Sequence, residues 1–160
     1  MQLSDLTLKD EKGELYYEDI CGECIGTGAH RKVYVFKYNP DWVVKVARES
    51  MGELMRSKGT PRNGKFSNRN EMDVWKIANE DFRKWFAPSI WLSKDASILL
   101  MQRGSSCDRR VSKLKWYRDR KAGNWVIIND RAVICDYGQK PILDYIKSQG
   151  YTSKILNKYL

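Results

Sequence analysis

The segment WYRDRKAGNWVIINDRAVICDYG, Trp116 to Gly138, places three polar side chains in a stretch that otherwise predicts a β-hairpin. A carboxylate at Asp119, an amide at Asn124 and a second carboxylate at Asp136 would converge if a tight loop led from the first two into the hairpin. Oxygen ligands of this kind suit Mg²⁺, and a carboxylate that is not bound to the metal can accept a hydroxyl proton. The segment therefore predicts a polar site beside a hairpin whose turn lies at Asn129 and Asp130.

The sequence before this segment predicts two more hairpins. The runs KVYVFKY and WVVKVA are joined by the turn Asn39 to Asp41, and they follow a glycine-containing turn at residues 20–31. Two apolar runs on either side of Ser93 to Ala96 predict the next hairpin. Three hairpins and few helices indicate an α+β fold built around an antiparallel sheet.

Helices are expected between and after these hairpins. Residues 57–68 are rich in Gly, Pro, Ser and Asn, which predicts an exposed loop, and Asn70 to Phe86 has apolar residues at helical spacing. The tail from Ile142 to Leu160 predicts helix with a break at Gly150. At 160 residues, the chain is expected to form one domain.

The composition excludes some classes of protein. Hydrophobic residues make up 42% of the chain and aromatic residues 12%, which excludes a disordered chain. No apolar run is long enough to span a bilayer and the start does not resemble a secretory signal, so we expect a cytoplasmic protein that does not bind membranes. The four cysteines lack the spacing of a disulfide pair or a zinc site and are expected to be reduced thiols.

The chain carries 29 Lys and Arg residues against 20 Asp and Glu, a formal charge of +9. This balance favours an anionic partner, which could be a nucleotide, a nucleic acid or an acidic protein surface. The charge alone does not choose among these partners.

Two further features are ambiguous when each is taken alone. Gly26 and Gly28, on either side of Thr27, would let backbone amides approach a phosphate. A hairpin, however, also needs glycine for its turn. Lys45 lies between apolar β-branched residues, where a lysine needs a partner such as Glu71, although both could instead be ordinary surface residues.

Taken together, these features resemble those of protein kinases in a severely shortened form. The glycine-rich loop G-x-G-x-x-G-x-V is matched by GTGAHRKV, Gly26 to Val33, and the strand lysine by VVK, residues 43–45. The helix glutamate is matched by Glu71, the catalytic loop by YRDRKAGN, Tyr117 to Asn124, and the D-F-G motif by DYG, Asp136 to Gly138. These motifs occur in the order found in the family.

The resemblance implies a role for each matched residue, with ATP and Mg²⁺ as the ligands. It implies an amino-terminal lobe at residues 1–101, a hinge at 102–104 and a reduced carboxy-terminal lobe at 105–160. The implied contacts with ATP are Gly26, Thr27, Gly28, Val33, Lys45, Met101, Gln102 and Gly104. The implied catalytic residues are Lys45, Glu71, Asp119 as the base and Lys121, which would contact the γ-phosphate. The implied metal ligands are Asn124 and Asp136.

Some positions depart from the family pattern. Arg31 replaces the third glycine, Tyr117 the histidine and Tyr137 the phenylalanine. The linker between Gly104 and the catalytic loop is too short for the helices that kinases place there, and the chain after the DYG motif lacks an activation segment. Recognition of the substrate is therefore expected to be unusual.

Three functions follow as hypotheses. The first is an ATP- and Mg²⁺-dependent phosphotransferase acting on Ser, Thr or Tyr of a host or partner protein, and the second is a kinase-like module that binds and inhibits a partner without turnover. The third, not favoured, is a small basic protein associated with nucleic acid. So compact a chain is typical of a phage or bacterial effector in the host cytoplasm.

An apolar face for a second subunit or a host protein is also expected near the catalytic hairpin, with basic residues at its rim. The alternative is that the tail closes the core of the monomer. The apolar residues concerned are Trp116, Trp125, Ile142, Tyr145, Ile146, Ile155 and Leu156, and the basic residues are Arg109, Arg110, Lys113 and Lys115.

Overall fold

The computed structural model describes residues 17–48, 64–107, 114, 116–117 and 121–149. In these residues the chain is α+β with antiparallel sheets, as the sequence predicts. No helix in the described ranges is both long enough and apolar enough to cross a bilayer.

The larger sheet has five strands in the order β1-β2-β3-β5-β4, and every neighbouring pair is antiparallel. A short helix α1, Tyr17–Ile20, precedes it. The strands are β1 Cys21–Thr27, β2 Arg31–Phe36, β3 Trp42–Ala47, β4 Ser89–Leu92 and β5 Ile98–Gln102.

Strand β3 divides its side chains between two cores. Lys45 is opposite Val33 on β2 and Leu99 on β5, and these side chains share the inner face of the sheet because neighbouring residues in register point the same way. Val44 pairs with Tyr34 and Leu100 on the outer face, where a second apolar cluster forms. Lys45 is thus a charged residue on the face that holds the main core.

Strand β1 was predicted only as part of a glycine-containing turn. It pairs with β2 through two irregularities of register, between Cys21 and Cys24 and between Cys24 and Gly26. An edge strand tolerates bulges and glycines because only one side carries a ladder of hydrogen bonds. The turn that was predicted is confined to the residues between Thr27 and Arg31.

Helix α2 spans Gly64–Ile77 and begins before the predicted start at Asn70. The end of the predicted loop is therefore helical, because Asn68 is buried and its side-chain amide donates to the carbonyls of Lys45 (3.3 Å) and Ala96 (3.0 Å). This tertiary docking outweighs the weak helix propensity of Gly, Ser and Asn.

The single helix predicted from Asn70 to Phe86 is divided into two helices. Its second part is α3, Glu80–Arg83, and Asn79 caps it by accepting a hydrogen bond from the amide of Phe82 at 3.1 Å. The asparagine side chain accepts a hydrogen bond from a main-chain amide of the new helix, so the main-chain hydrogen bonds of the first helix need not continue. The polar residue within the apolar periodicity thus marks a helix start.

The smaller sheet has three strands, β6 Ser105–Ser106, β7 Trp125–Ile128 and β8 Arg131–Ile134. A 3₁₀ turn at Ala122–Asn124 comes directly before β7. The turn of the predicted β7–β8 hairpin is confirmed, since Asn129 and Asp130 have φ of 50° and 60°. A parallel bridge between Phe86 and Ile134 joins this sheet to the segment before β4.

Helix α4, Lys140–Ser148, packs against α2 and closes the main core. Trp125, Ile142 and Ile146 are buried, and Trp116 stacks on Tyr145 with ring centroids 6.0 Å apart. Trp116 and Tyr145 are partly buried, so burial of the described members favours the alternative that the tail closes the core of the monomer. An interface with a second subunit or a host protein stays a prediction. Ile155, Leu156 and the four basic rim residues lie outside the described residues.

Candidate functional site

Two buried charges from different elements meet under the larger sheet. Lys45 is 4% exposed and Glu71 on α2 is 0% exposed, and Lys45 Nζ lies 2.8 Å from Glu71 Oε2. The alternation of β3 directs Lys45 inward, and the position of Glu71 on α2 directs it toward the sheet. The structure thus brings together the lysine and glutamate that the sequence suggested as partners.

Arg31 is a second cation at the same carboxylate. One of its terminal nitrogens, Nη2, lies 2.8 Å from Glu71 Oε1 and 2.8 Å from Asp136 Oδ1, while Nη1 donates to Asn68 Oδ1 at 3.2 Å. Its side chain is only 10% exposed. We call Arg31, Lys45, Glu71 and Asp136 the Lys45 cluster.

The contacts within the Lys45 cluster favour the ionised forms of Glu71 and Arg31. Burial alone would raise the pKa of Glu71, but the nearby positive charges of Arg31 and Lys45 outweigh it and hold that pKa below its ordinary value. Burial disfavours the charged form of Arg31, yet Glu71 and then Asp136 raise the pKa of the guanidinium. Both residues are therefore ionised at neutral pH, and the ion pair is intact.

The segment Cys135 to Gly138 is held against this cluster by its main chain. Lys45 Nζ donates to the carbonyl of Cys135, and the amide of Tyr137 donates to Glu71 Oε1 at 3.2 Å. The hydroxyl of Tyr117 donates to the carbonyl of Asp136 at 3.0 Å. Asp136 is consequently fixed beside Arg31 while its carboxylate stays 43% exposed.

Tyr137 anchors the same segment from the core. Its ring is fully buried and its hydroxyl donates to the carbonyl of Ala87 at 2.7 Å, with Ser89 Oγ also 2.7 Å away. The ring packs on Phe86 with centroids 4.6 Å apart. The hydroxyl of Tyr137 thus adds two polar contacts to the packing of its ring.

Gly138 permits the close approach of this segment to α2. A Cβ atom at Gly138 would lie 2.5 Å from the carbonyl oxygen of Ser67, and the side-chain amide of Asn70 donates to the carbonyl of Gly138 at 3.1 Å. Any larger residue would push the segment and α2 apart. Glycine is therefore required here by packing.

The predicted metal ligands flank the β7–β8 hairpin, since Asn124 directly precedes β7 and Asp136 follows β8. Asn124 ends the 3₁₀ turn and is buried, and its carbonyl accepts a hydrogen bond from the amide of Cys135, next to Asp136. One carboxylate and one amide fit a Mg²⁺ ion that is shared with nucleotide phosphates, because Mg²⁺ is commonly held by one or two carboxylates together with phosphate oxygens. Among the described residues, no group of three or more His, Cys, Asp or Glu could hold an ion by itself.

The predicted phosphate loop is a tight turn. The amide of Gly28 donates to the carbonyl of Arg31 at 2.8 Å, and Arg48 Nη1 donates to the carbonyl of Gly28 at 2.9 Å. Thr27 pairs with Lys32 at the end of the β1–β2 ladder, and Gly26 pairs with Val33. The loop therefore borders the strand that carries Arg31, and its contact with phosphates stays a prediction.

The predicted hinge, residues 102–104, begins at the last residue of β5. Met101 is fully buried in the main core, the amide of Gln102 donates to the carbonyl of Pro88 at 2.8 Å, and the next amide, of Arg103, donates to Asp41 at 2.7 Å. A Cβ at Gly104 would lie 2.6 Å from Val126, so β6 packs directly on β7 after the hinge. The contact of this segment with adenine stays a prediction.

The predicted catalytic loop is described only at its ends. Tyr117 is buried, and Lys121 is exposed where the 3₁₀ turn begins. Asp119, the predicted base, lies outside the described residues. The assignment of Asp119 as the base therefore rests on the sequence motif alone.

Arg31 is the site residue that the sequence analysis did not assign. It was noted only as a departure from the glycine pattern, yet it contacts both carboxylates of the cluster. The signal was available, since Arg31 and Val33 are two residues apart on β2 and therefore share the inner face.

The Lys45 cluster is a network of paired charges with one exposed carboxylate. It combines two cations with two carboxylates at the junction of both sheets and α2, and its most exposed described member is Asp136. Comparison of the chain with protein-family models and with curated proteins finds no match.

Proposed function

We propose that this protein is a reduced, kinase-like phosphotransferase that binds ATP at the Lys45 cluster and transfers the γ-phosphoryl group to a Ser, Thr or Tyr of a host or partner protein. The observation that carries the proposal is the buried ion pair between Lys45 and Glu71. A buried lysine held by a carboxylate is a preorganised donor for phosphate oxygens. The motif order in the sequence supports the same reading.

Each residue of the site has a part in this reaction. Lys45 holds the α- and β-phosphates, Glu71 orients Lys45, and Lys121 neutralises charge on the γ-phosphate. Asn124 and Asp136 would hold Mg²⁺, which neutralises charge on the phosphates when it is bound.

The transfer itself needs an acceptor hydroxyl and a base. The hydroxyl oxygen bonds to the γ-phosphorus, the bond from that phosphorus to the β–γ bridging oxygen breaks, and ADP leaves with the electron pair. The hydroxyl proton passes to Asp119.

A second candidate function is favoured by one observation. Arg31 already neutralises Asp136, a predicted metal ligand, at 2.8 Å. A site balanced in this way suits a nucleotide-dependent binding module that inhibits a partner protein without turnover.

Incubation with γ-labelled ATP and Mg²⁺, alone and with a lysate of the host, tests the phosphotransferase. We expect label on a protein, and we expect Asp119→Asn to abolish labelling while ATP binding is kept, because the base contributes little to holding nucleotide. Lysate without the protein is the background control. ATP binding without transfer to any protein would favour the binding module, and full labelling by Asp119→Asn would contradict the assigned base.

A further inference from the structure

Arg31 balances the charge of the Lys45 cluster. In the described part of the chain the cluster contains two cations, Arg31 and Lys45, and two anions, Glu71 and Asp136. Without Arg31, one lysine would face two carboxylates, and the site would carry a net negative charge. Such a site needs a cation before it can accept phosphates.

Three acceptors hold the Arg31 side chain in place. Its guanidinium contacts Asn68, Glu71 and Asp136 at once, at 3.2, 2.8 and 2.8 Å. A planar guanidinium bound to carboxylates in a poorly hydrated site makes strong, directional hydrogen bonds. The positive charge is therefore positioned before any ligand arrives.

The pairing acts on the carboxylate that a nucleotide would approach. Asp136 is 43% exposed, whereas the Glu71 side chain is 0% exposed, so Asp136 is the anion that incoming phosphates would meet. A bare carboxylate repels phosphate oxygens, and kinases neutralise it with a divalent cation. Here the guanidinium of Arg31 already lies against that carboxylate.

We infer that Arg31 supplies the charge that a divalent cation supplies in kinases, so that the Lys45 cluster binds the metal-free nucleoside triphosphate about as tightly as its Mg²⁺ complex. This inference rests on the proposed binding of ATP at the cluster. It concerns binding and leaves phosphoryl transfer dependent on Mg²⁺.

Calorimetric titration of the full chain with ATP, once with excess EDTA and once with excess Mg²⁺, tests the inference. We expect the two dissociation constants to agree within about threefold. Binding in Mg²⁺ that weakens more than about thirtyfold in EDTA would overturn the inference while leaving the proposed ATP site in place. Absence of ATP binding in both buffers would overturn the proposed function, and this inference with it.

A matched pair of variants assigns the effect to Arg31. Arg31→Gln leaves Asp136 without its cation, so metal-free binding should weaken at least about tenfold while binding in Mg²⁺ changes less. Lys37→Gln removes the same charge from an exposed residue that directly follows β2 and lies outside the glycine-rich loop, and its EDTA to Mg²⁺ ratio should equal that of the wild type. An unchanged ratio in a folded Arg31→Gln would overturn the inference.

Asp136→Asn gives an independent test that keeps Arg31 and its contact with Glu71. Because the carboxylate is removed, we expect metal-free ATP to bind at least as tightly as to the wild type, with no gain from Mg²⁺. Loss of metal-free binding in this variant, with its circular dichroism unchanged, would show that the Asp136 carboxylate contributes to nucleotide binding instead of repelling it, and would overturn the inference.

Discussion

Lys45 Nζ lies 2.8 Å from Glu71 Oε2, and both side chains are almost completely removed from solvent. Glu71 also accepts from Arg31 and from the amide of Tyr137, so one carboxylate connects β2, β3 and the segment that carries Asp136. The stability of the fold and the geometry of the site therefore depend on the same residue.

Glu71→Gln should strongly destabilise the protein. The substitution leaves Lys45 and Arg31 buried with one carboxylate fewer, and breaking a buried ion pair in this way typically costs about 3–5 kcal/mol. Urea unfolding measures the change in the free energy of unfolding. Glu23→Gln, on the exposed face of β1, is the control and should stay within about 0.5 kcal/mol of the wild type. Equal stability of the two variants would contradict the central role of Glu71.

Stability should fall in acid, in part through Glu71. Because the pKa of Glu71 in the fold is lower than its ordinary value of 4.5, the ionised side chain stabilises the fold above that value. The contribution is lost as the pH falls toward the lowered pKa. Urea midpoints measured from about pH 7 to about pH 3 should decline more steeply for the wild type than for Glu71→Gln. Parallel curves would assign the acid sensitivity to other groups.

Gly138→Ala should separate the Asp136 segment from α2. The added Cβ would lie 2.5 Å from the Ser67 carbonyl, and overpacking of this kind typically costs about 1–3 kcal/mol. Metal-free ATP should also bind less tightly, because Asp136 moves with the segment away from Arg31, which neutralises its charge. Gly123→Ala is the matched control, because no atom lies within 4 Å of its added Cβ. Thermal unfolding with and without ATP distinguishes the two variants, and equal behaviour would refute the packing argument.

Tyr137→Phe should reduce stability without removing the site. The ring still packs on Phe86, but the buried carbonyl of Ala87 loses its donor, at a cost of about 1–3 kcal/mol. Urea unfolding checks the loss, and Tyr38→Phe at a residue that is 48% exposed is the control. A gain in stability on Tyr137→Phe would show that the hydroxyl contacts contribute nothing.

Cys135 should be a slow nucleophile although it lies beside the cluster. Burial raises the pKa of its thiol to about 11, against the opposing effect of Lys45, so little thiolate is present at neutral pH. Alkylation by iodoacetamide, followed by peptide mass spectrometry, should label the exposed Cys24 well before Cys135. Faster labelling of Cys135 would contradict the assigned burial.

Strands with an apolar or alternating pattern of hydrophobicity, and turns with characteristic turn residues, could be predicted from the sequence. The alternating run KVYVFKY located β2, the apolar β-branched run WVVKVA located β3, and Asn129-Asp130 marked the third hairpin, because these signals are local. The pairing of Lys45 with Glu71 could be suggested because a buried lysine requires a partner.

The remaining features depend on tertiary contacts. The early start of α2 follows from the docking of Asn68 on the carbonyls of Lys45 and Ala96, which no local pattern shows. The contact of Arg31 with Asp136 joins residues 105 positions apart, and helix propensity or alternation cannot predict it. Burial of Trp125, whose ring packs on Tyr117, likewise depends on contacts between separate segments of the chain.

The most direct test of the account is calorimetric titration of ATP into the wild type, Lys45→Gln and Lys37→Gln in Mg²⁺. Lys45 is the buried lysine of the cluster and Lys37 is an exposed lysine that follows β2, so the two variants lose the same charge in different places. The account predicts one ATP per wild-type chain, unchanged affinity for Lys37→Gln, and affinity weakened at least about tenfold for a folded Lys45→Gln. Equal affinity of all three proteins, or no binding by the wild type, would contradict the claim that the Lys45 cluster is a nucleotide site.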